Sequence, residues 1–579
     1  MTTFAITTIE ERKKIVTGIT GKLLILFIMP LFLYVGLLPV MPLMEPDEGR
    51  YSAIPSSMNK SGDYITPRLK EAVYIEKPPL AYWATALSFK IFGENEFSSR
   101  LFAGLCAWGC ILIVYSMGRF LHDEKTGLYG AAVLTTSLFH FAIGRINILD
   151  MPVAFFLSLA IWSGYRFCAA AGRKEWLYLC YLASALAFLT KGLIGIVFPA
   201  AIIVIWLVSV GRWRDIIKLI SSLGILIFFT VTLPWLILIQ QAHSDFFRFF
   251  FVQEHFQRYT TTIHHRNQPV YFFLPIIVAG TLPWCAFLYK ALRKKETSPV
   301  CDGGGQMSVW HKFPWFRRED ARYLLVWAGF MFLFFSLSSS KLIPYIAAVF
   351  LPLSLFLGSI FRLYDEQKKD SNLPAPLSRY DLPIIFQSLL FIAVLAVAPF
   401  IEKRPLNLWV PLIVVPVIMQ ILLVFMPGFV RRRTGAHWFL TIYFLAALFL
   451  GALVFPLSQF LTPYKSAYVL VQAIKDNLPA GQELYQYDMC LYGVDFYGKI
   501  RTPIVDDIGE VRYGSEFLPA AEKKHYFMNS DEFFKLVGQR PITYCATKGQ
   551  ERVERLRKVV PNLTVIWDNK EYYLVKLQS

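Results

Sequence analysis

Long apolar segments recur along most of the chain and stop at Leu461. About thirteen of them are long enough to cross a hydrocarbon core of ~30 Å as a helix. They are centred in 21–43, 99–121, 126–144, 149–169, 175–190, 192–209, 216–240, 270–290, 321–337, 342–362, 383–400, 408–427 and 437–461. The pattern predicts a polytopic α-helical membrane protein with about 13 transmembrane helices. No small-residue cleavage site follows the first segment, so we expect a retained helix rather than a signal peptide.

The composition agrees with a membrane protein. Of the 579 residues, 55% are hydrophobic and 17% are charged, whereas a soluble protein carries about 25% charged residues. The net charge of +17 is compatible with nucleic acid, with anionic lipid or with membrane topology. Most of the excess lies in a few connections between apolar segments, which favours topology and makes a nucleic-acid partner unnecessary.

The connections alternate between two kinds. Arginine-rich ones such as "GRWRD" and "FVRRRTGAH" fall on the inside if the N-terminus is cytoplasmic, as the positive-inside rule requires. The others mix acidic, basic, histidine and aromatic residues and fall outside. They are 44–98, "GRINILDMP", "LTKGL", 241–269, "SLSSSKLIPY" and everything after 461. We therefore predict a multi-pass membrane protein whose N-terminus is cytoplasmic and whose chemistry takes place on the outer side of the membrane.

The last segment has a different pattern. Residues 462–579 alternate short strand patterns such as "ELYQY" and "PITYCAT" with helical ones such as "DEFFKLVGQ". We predict a soluble α/β domain at 462–579, on the outer side of the membrane, after a transmembrane domain at 1–461. Cys490 and Cys545 both lie in this domain, and the sequence leaves open whether they form a disulfide. The absence of Walker and GxGxxG motifs gives no support for a bound nucleotide.

The stretch "MEPDEGRY" at 44–51 places Asp47 and Glu48 directly after the first apolar segment. A helix cap would explain Asp47 equally well from this stretch alone. Asp150, in "RINILDMP", is a second acidic residue that begins a helix pattern on the same side. We take these three carboxylates as catalytic candidates.

Many charged side chains are predicted to meet on the outer face. They are Asp47, Arg50, Glu76, Lys77, Arg145, Asp150, Lys191, Arg258, His264, Arg266 and Lys341, with Tyr51, Tyr74, Tyr82, Trp83, Tyr259 and Tyr345 beside them. Any one of them is explained by a surface ion pair, but so many at the membrane boundary favour a functional site. Arginine and lysine suit a lipid phosphate, a carboxylate suits proton transfer or an oxocarbenium-like centre, and aromatic rings suit a sugar.

Glu76, His264 and His265 are a candidate set for a divalent metal. Imidazole and carboxylate suit zinc or manganese. The alternative is that two adjacent loop histidines only make hydrogen bonds. No other cofactor is indicated.

Five motifs in order resemble the lipid A aminoarabinose transferases. They are "EPDEGRYSAIPSSMNKSGDYITPRL" with "YIEKPPLAYW", "RINILDMP", "LTKGL", "EHFQRYTTTIHHRNQPVYFFLP" and "SKLIPYIAAVFLPL". That family comprises GT-C glycosyltransferases that use a phospholipid carrier and are related to the protein O-mannosyltransferases. The resemblance implies an undecaprenyl phosphate-linked sugar as donor, an active site and C-terminal domain on the periplasmic face of a bacterial inner membrane, and transfer to lipid A or another envelope glycolipid. In the aminoarabinose branch the sugar is 4-amino-4-deoxy-L-arabinose, the acceptor is a lipid A phosphate, and the role is lipopolysaccharide modification and polymyxin resistance. The sequence leaves open which sugar this chain carries.

The resemblance also implies roles for individual residues. Asp47 matches the acid of the family's first loop, Asp150 its second acidic motif, and Glu76 the acid before Lys77. The expected substrate contacts are Arg50, Tyr51, Lys77, Lys191, Arg258, Lys341 and Tyr345. His264 fits a variant of the family's long loop, in which the spacing to the following proline differs among members. We expect a monomer.

Two alternatives stay open at this stage. The motifs report on the donor, so transfer to protein hydroxyls, as in the O-mannosyltransferases, is compatible with them. A transporter or flippase for a lipid-linked sugar is a different class, but it would place ionisable groups near the bilayer midplane and often show related halves. The sequence has neither feature.

Overall fold

The computed structural model describes residues 20–169, 172–251, 268–285, 318–367, 404–434 and 438–578, together with positions 393 and 399. Most of the described chain is helical, and a small sheet domain follows the last long helix. The predicted fold class, a polytopic helical membrane protein with a C-terminal α/β domain, is confirmed.

The helices of the membrane part follow one another closely. They are Thr20–Val40, Asp47–Ser61, Leu80–Phe92, Glu96–Leu121, Glu124–Thr135, Leu138–Ile143, Asp150–Ala169, Lys174–Lys191, Ile194–Ser209, Ser222–Ala242, Phe273–Gly280, Arg318–Leu337, Phe350–Gln367, Leu406–Thr434 and Trp438–Lys465. Among the described residues, 7 helices are long and apolar enough to cross a membrane. The chain is a multi-pass membrane protein.

The predicted spans coincide with helices wherever the chain is described. The span 126–144 consists of two helices, because the chain leaves helical geometry at Thr136 and Ser137. The span 270–290 is described only as far as Cys285, and 383–400 lies outside the described residues apart from two positions. Apolar side chains such as Leu226, Ile237 and Leu333 are exposed on these helices, as expected for a surface that faces lipid.

Ion pairs connect loops at the end of the bundle that carries the arginine-rich connections. Lys22 pairs with Glu124 at 2.7 Å, and Arg362 pairs with Asp123 at 2.6 Å. The sequence assigns all four of these residues to the same side of the membrane. The two ion pairs therefore agree with the predicted topology.

The C-terminal domain is a six-stranded sheet with helices on both faces. The chain also has a small antiparallel pair in the 44–98 segment, Arg68–Leu69 (β1) and Ala72–Val73 (β2). The domain's strands are Leu484–Tyr487 (β3), Ile504–Val505 (β4), Phe527–Met528 (β5), Ile542–Lys548 (β6), Leu563–Asp568 (β7) and Tyr572–Gln578 (β8). Their order is β5-β4-β3-β6-β8-β7, parallel from β5 to β6 and antiparallel at β8 and β7.

Alternate side chains of β3 lie in the two hydrophobic cores of this domain, one on each face of the sheet. Leu484 packs with Leu470 and Val494 on one face, and Tyr485 packs with Phe533 on the other, as the two-residue period of a strand requires. The helices on the faces are Tyr468–Asn477, Tyr492–Gly498, Ser530–Gln539 and Gln550–Val559. Cys490 and Cys545 are both free thiols.

The C-terminal domain docks on the 44–98 segment. The Glu45 carboxylate accepts hydrogen bonds from the backbone N–H groups of Gly493, at 2.5 Å, and Tyr492, at 3.3 Å. Lys70 pairs with Asp495 at 2.7 Å in the same interface. The domain and the 44–98 segment therefore lie at the same end of the helix bundle.

Candidate active site

The helix Asp47–Ser61 begins with the charged cluster of "MEPDEGRY". Its first turn carries Asp47 and Glu48, whose negative charges favour a helix N-terminus. Successive helical residues are about 100° apart, so these two neighbouring acids face different surroundings. The Asp47 side chain is 55% exposed, whereas Glu48 is fully buried.

Glu48 is committed to a structural ion pair. Its carboxylate oxygens lie 2.7 Å from Nε and 2.7 Å from Nη2 of Arg100, which is also buried. It further accepts from the backbone N–H groups of Met44 and Asn147, both at 2.9 Å. With its oxygens occupied in this way, we reassign Glu48 from catalysis to holding the first loop against the helix Glu96–Leu121.

Arg50 lies in a charge network at the rim of the site. Its guanidinium donates to Asp47 and pairs with Glu510 of the C-terminal domain. It also lies over the rings of Tyr51, at 4.8 Å, and Tyr74, at 5.9 Å. Asp47 and Glu510 thus engage Nη2 and Nη1 of this guanidinium, while its buried Nε makes no hydrogen bond within the described part of the chain. The predicted phosphate contact of Arg50 stays a prediction.

The tyrosines of this rim are buried beside the charges. Tyr51 stacks on Tyr82 with ring centroids 5.9 Å apart, and burial raises the pKa of Tyr51 above its ordinary value. Tyr74 donates to Glu76 at 3.2 Å, and burial likewise raises the pKa of its hydroxyl. Both phenols therefore remain protonated near neutral pH and act as hydrogen-bond donors and ring surfaces.

A cavity of about 410 Å³ opens beside this rim, between the helices that begin at Asp150, Ile194 and Arg318 and the short 3-10 helix Ile343–Val349. Its polar lining consists of Lys77, Asp150, Lys191, Ser338, Ser340 and Tyr345. The rest is aliphatic or aromatic, with Leu157, Val197 and Phe334 as examples. The cavity thus combines a charged group of side chains with apolar walls, as a lipid with a phosphate head would require.

Helix ends place the central ion pair of the cavity. Asp150 is the first residue of Asp150–Ala169 and Lys191 is the last of Lys174–Lys191, so each charge opposes the partial charge of its own helix end. Lys191 Nζ lies 2.5 Å from Asp150 Oδ1 and 4.7 Å from the ring centroid of Tyr345. These contacts fix Lys191 in the cavity wall. An ammonium has three N–H donors, so those not directed at Asp150 can bind a ligand or water.

The motif "SSSKLIPY" supplies the other side of the cavity. The hydroxyl of Ser340 is buried and makes no hydrogen bond within the described part of the chain. Lys341 instead donates to the carbonyls of Gln268, at 2.9 Å, and Ser338, at 2.6 Å, and burial lowers its pKa. Lys341 therefore braces this loop, whereas Ser340 and Tyr345 line the cavity.

Several predicted site residues lie elsewhere. Arg258, His264 and His265 are outside the described residues, as are Tyr259 and Arg266. Arg145 is buried and donates to the carbonyl of Leu37, away from the cavity. Lys77 lines the cavity and donates to its neighbour's carbonyl at 3.1 Å.

The metal prediction rests on Glu76 alone in the described chain. Among those residues, no group of three or more His, Cys, Asp and Glu side chains is arranged to hold a metal ion. The two histidines of the predicted set are not described, so the metal site stays a prediction.

Sequence reasoning missed Ser340 and Glu510. Ser340 lies inside a quoted motif, and its position beside Lys341 was the available signal. Glu510 lies in "GEVRYG", about 460 residues from Arg50, and nothing in its local pattern indicates the contact. Only the docking of the C-terminal domain brings it to the site.

Comparisons with known proteins agree with this geometry. The family model described as dolichyl-phosphate-mannose-protein mannosyltransferase matches residues 76–238. The undecaprenyl phosphate-alpha-4-amino-4-deoxy-L-arabinose arabinosyl transferase of Edwardsiella ictaluri is 31% identical over 341 residues, 58% of this chain and 59% of that protein. Its counterpart in Pseudomonas aeruginosa is 31% identical over 335 residues, 56% of this chain and 57% of that protein. The matched region thus spans less than two thirds of either relative.

The crystal structure of ArnT from Cupriavidus metallidurans bound to undecaprenyl phosphate matches almost the whole chain. The TM-score is 0.80, with 23% identity, over 96% of this chain and 98% of that one. The chain therefore has the fold of that structure over almost its whole length, including the C-terminal sheet domain. Its resemblance to the aminoarabinose transferases, predicted from five motifs, is confirmed.

Proposed function

We propose that this protein is an integral membrane glycosyltransferase that moves 4-amino-4-deoxy-L-arabinose from undecaprenyl phosphate to lipid A at the periplasmic face of a bacterial inner membrane. The cavity carries the proposal, because Lys77, Lys191, Ser340 and Tyr345 meet at one charged site while its other walls are apolar. The names of the relatives support the choice of sugar and carrier.

The cavity residues suit the leaving group. In the proposed reaction the bond between the sugar's anomeric carbon and the phosphate oxygen breaks, and undecaprenyl phosphate keeps the electron pair. Lys77 and Lys191 would stabilise the negative charge that develops on that oxygen. Ser340 would donate its unused hydroxyl hydrogen to the same phosphate.

The rim residues suit the acceptor. An acceptor oxygen forms the new bond to the anomeric carbon, and the exposed Asp47 carboxylate is open to an acceptor from outside the membrane. A phosphate of lipid A is already ionised, so Asp47 would orient it and stabilise positive charge on the sugar. A hydroxyl acceptor would instead transfer its proton to Asp47.

Donor and acceptor can be tested together. Purified protein in lipid nanodiscs is incubated with undecaprenyl phosphate-aminoarabinose and lipid A, and mass spectrometry follows both lipids. We expect released undecaprenyl phosphate and lipid A heavier by one pentosamine. Transfer to an added peptide would indicate the O-mannosyltransferase-like alternative, and movement of intact donor across the membrane would indicate a flippase.

Orientation has its own test. Cysteines placed at Lys524, in the C-terminal domain, and at Lys174, at the other end of the bundle, are both on exposed positions. An impermeant thiol reagent should label the first in intact spheroplasts and the second only after lysis. The reverse result would contradict the periplasmic site.

A divalent metal, zinc or manganese, and a monomeric state complete the proposal. Glu76 with His264 and His265 would hold the metal, and none of the steps above requires it. Elemental analysis of protein purified without chelator, compared with His264→Ala, tests the metal. Light scattering of the solubilised protein tests the monomer.

A further inference from the structure

Glu510 belongs to the C-terminal domain, but the segment that carries it is fixed against the membrane part. Tyr513 stacks on Phe249 with ring centroids 3.8 Å apart and an interplanar angle of 12°. A Cβ atom added to Gly514 would lie 1.7 Å from the carbonyl oxygen of Val73, so only glycine allows this close approach. The chain just after Glu510 is therefore held against two parts of the membrane domain, which restricts where Glu510 can lie.

The carboxylate of Glu510 pairs with Nη1 of the Arg50 guanidinium, whereas Asp47 pairs with Nη2. Arg50 pairs with Asp47 and with Glu510, and its side chain is 7% exposed. The Tyr74 hydroxyl, which has one hydrogen to share with Glu76, also lies 3.4 Å from Glu510. A guanidinium presents its N–H donors in one rigid plane, so a second carboxylate fixes the orientation in which it meets the first.

The charges of this network also matter. One guanidinium between two carboxylates leaves a net negative charge, so Asp47 is not fully neutralised by its partner. If Glu510 lost its charge, Asp47 would be the one carboxylate left to pair with Arg50 among the described residues. Asp47 would then form an ordinary ion pair with Arg50, and its carboxylate would interact less strongly with an acceptor or with the sugar.

We propose that Glu510 is a positioning residue of the transferase site, which acts through Arg50 to orient Asp47 and makes the site complete only when the C-terminal domain is docked. This inference rests on the proposed function. It assigns to the C-terminal domain a part in positioning the groups of the site.

The test compares steady-state kinetics of full-length variants in the transfer assay. Glu510→Gln keeps size and removes the charge, and Glu510→Asp keeps the charge. Glu71→Gln is the matched control, since it removes another ion pair of the same interface, with Arg501 at 3.1 Å. We expect Glu510→Gln to lower kcat at least about tenfold, in the range for a misplaced catalytic group, with the donor KM within about twofold. Glu510→Asp should recover most of the loss, and Glu71→Gln should keep wild-type kcat.

A double variant separates positioning from docking. In an Arg50→Lys background the planar guanidinium is absent, so Glu510→Gln should add less than about a twofold loss. If Glu510→Gln lowered kcat by the same factor in the Arg50→Lys background as in the wild-type protein, the proposal would be overturned. Wild-type kcat in the single variant Glu510→Gln would also overturn it. So would parallel losses of melting temperature and kcat in Glu510→Gln and Glu71→Gln, because docking alone would then explain both. A wild-type protein that releases no undecaprenyl phosphate would refute the proposed function itself, and this role with it.

Discussion

Lys191 and Asp150 meet at 2.5 Å, Nζ to Oδ1, where the C-terminus of one helix and the N-terminus of another face the cavity. Both helix ends favour the charge that they carry, so the pair is stable without a ligand. The geometry nevertheless places the ammonium of Lys191 in the cavity wall beside Tyr345. The pair accordingly holds a cation ready for an anionic ligand.

Lys191→Met should weaken use of the donor. The change keeps most of the apolar stem but removes a charged hydrogen bond to phosphate, worth about 1.5 to 3 kcal/mol, which corresponds to a rise in donor KM of at least tenfold. Titration of the donor in the transfer assay measures it. Lys174→Met, at the opposite end of the same helix, is the control. A donor KM within about twofold of wild type would mean that the phosphate is held elsewhere, with Lys77 next to be tested.

Ser340→Ala should affect donor binding but not stability. The Ser340 hydroxyl makes no hydrogen bond within the described chain, so its removal costs the fold little. A lost hydrogen bond of about 0.5 to 1.5 kcal/mol predicts a rise in donor KM of roughly two- to tenfold. Melting curves on the same samples provide the control. An unchanged KM would remove Ser340 from the donor site.

Glu48→Gln should destabilise the protein. The change breaks a fully buried ion pair and leaves Arg100 without its carboxylate, which typically costs about 3 to 5 kcal/mol. We expect a clear fall in melting temperature and in the yield of inserted protein, with activity lost in proportion. A stable Glu48→Gln protein with no activity would instead restore Glu48 as a catalytic candidate.

Asp47 and Glu48 show what the sequence predicts and what it leaves out. The motif identified both acids, and the alternation of apolar and polar segments predicted the helices around them. Which acid is buried depends on Arg100, 52 residues further along the chain, and no local pattern reports that partner. Arg50 was likewise found by its motif, but its role depends on Glu510 in another domain. Strands such as β3 and β6 were predictable because their apolar alternation is local.

Glu45 should make domain docking sensitive to pH. Burial in the interface raises the pKa of its carboxyl to about 8, although hydrogen bonds from Gly493 and Tyr492 and the charge of Lys70 act in the other direction. The undocked carboxyl has an ordinary pKa near 4.5, so between these values the docked form binds the extra proton. The stability of the docked state should therefore fall as the pH rises from about 5 to 8 and stay level above that.

Melting curves of wild type and Glu45→Gln across this pH range test the effect. The variant cannot titrate at this position, so its melting temperature should vary less between pH 5 and pH 8. Parallel curves for the two proteins would show that other groups control the pH dependence.

Asp47→Asn tests whether the exposed acid of the first loop is catalytic. Asparagine keeps the size of the side chain and its capping ability, so a purely structural Asp47 should lose little stability or activity. If the carboxylate acts on the acceptor or on the sugar, the transfer rate of the variant should be about 10² to 10⁴ times lower than that of the wild type. We expect normal insertion, a melting temperature close to wild type, an unchanged donor KM, and almost no transfer to lipid A. Binding of undecaprenyl phosphate, measured by thermal shift, should also be unchanged, because the proposed site of that ligand is the cavity rather than the rim. Turnover above about a tenth of wild type would fall outside the catalytic range and would make Asp150, in the cavity wall, the leading candidate.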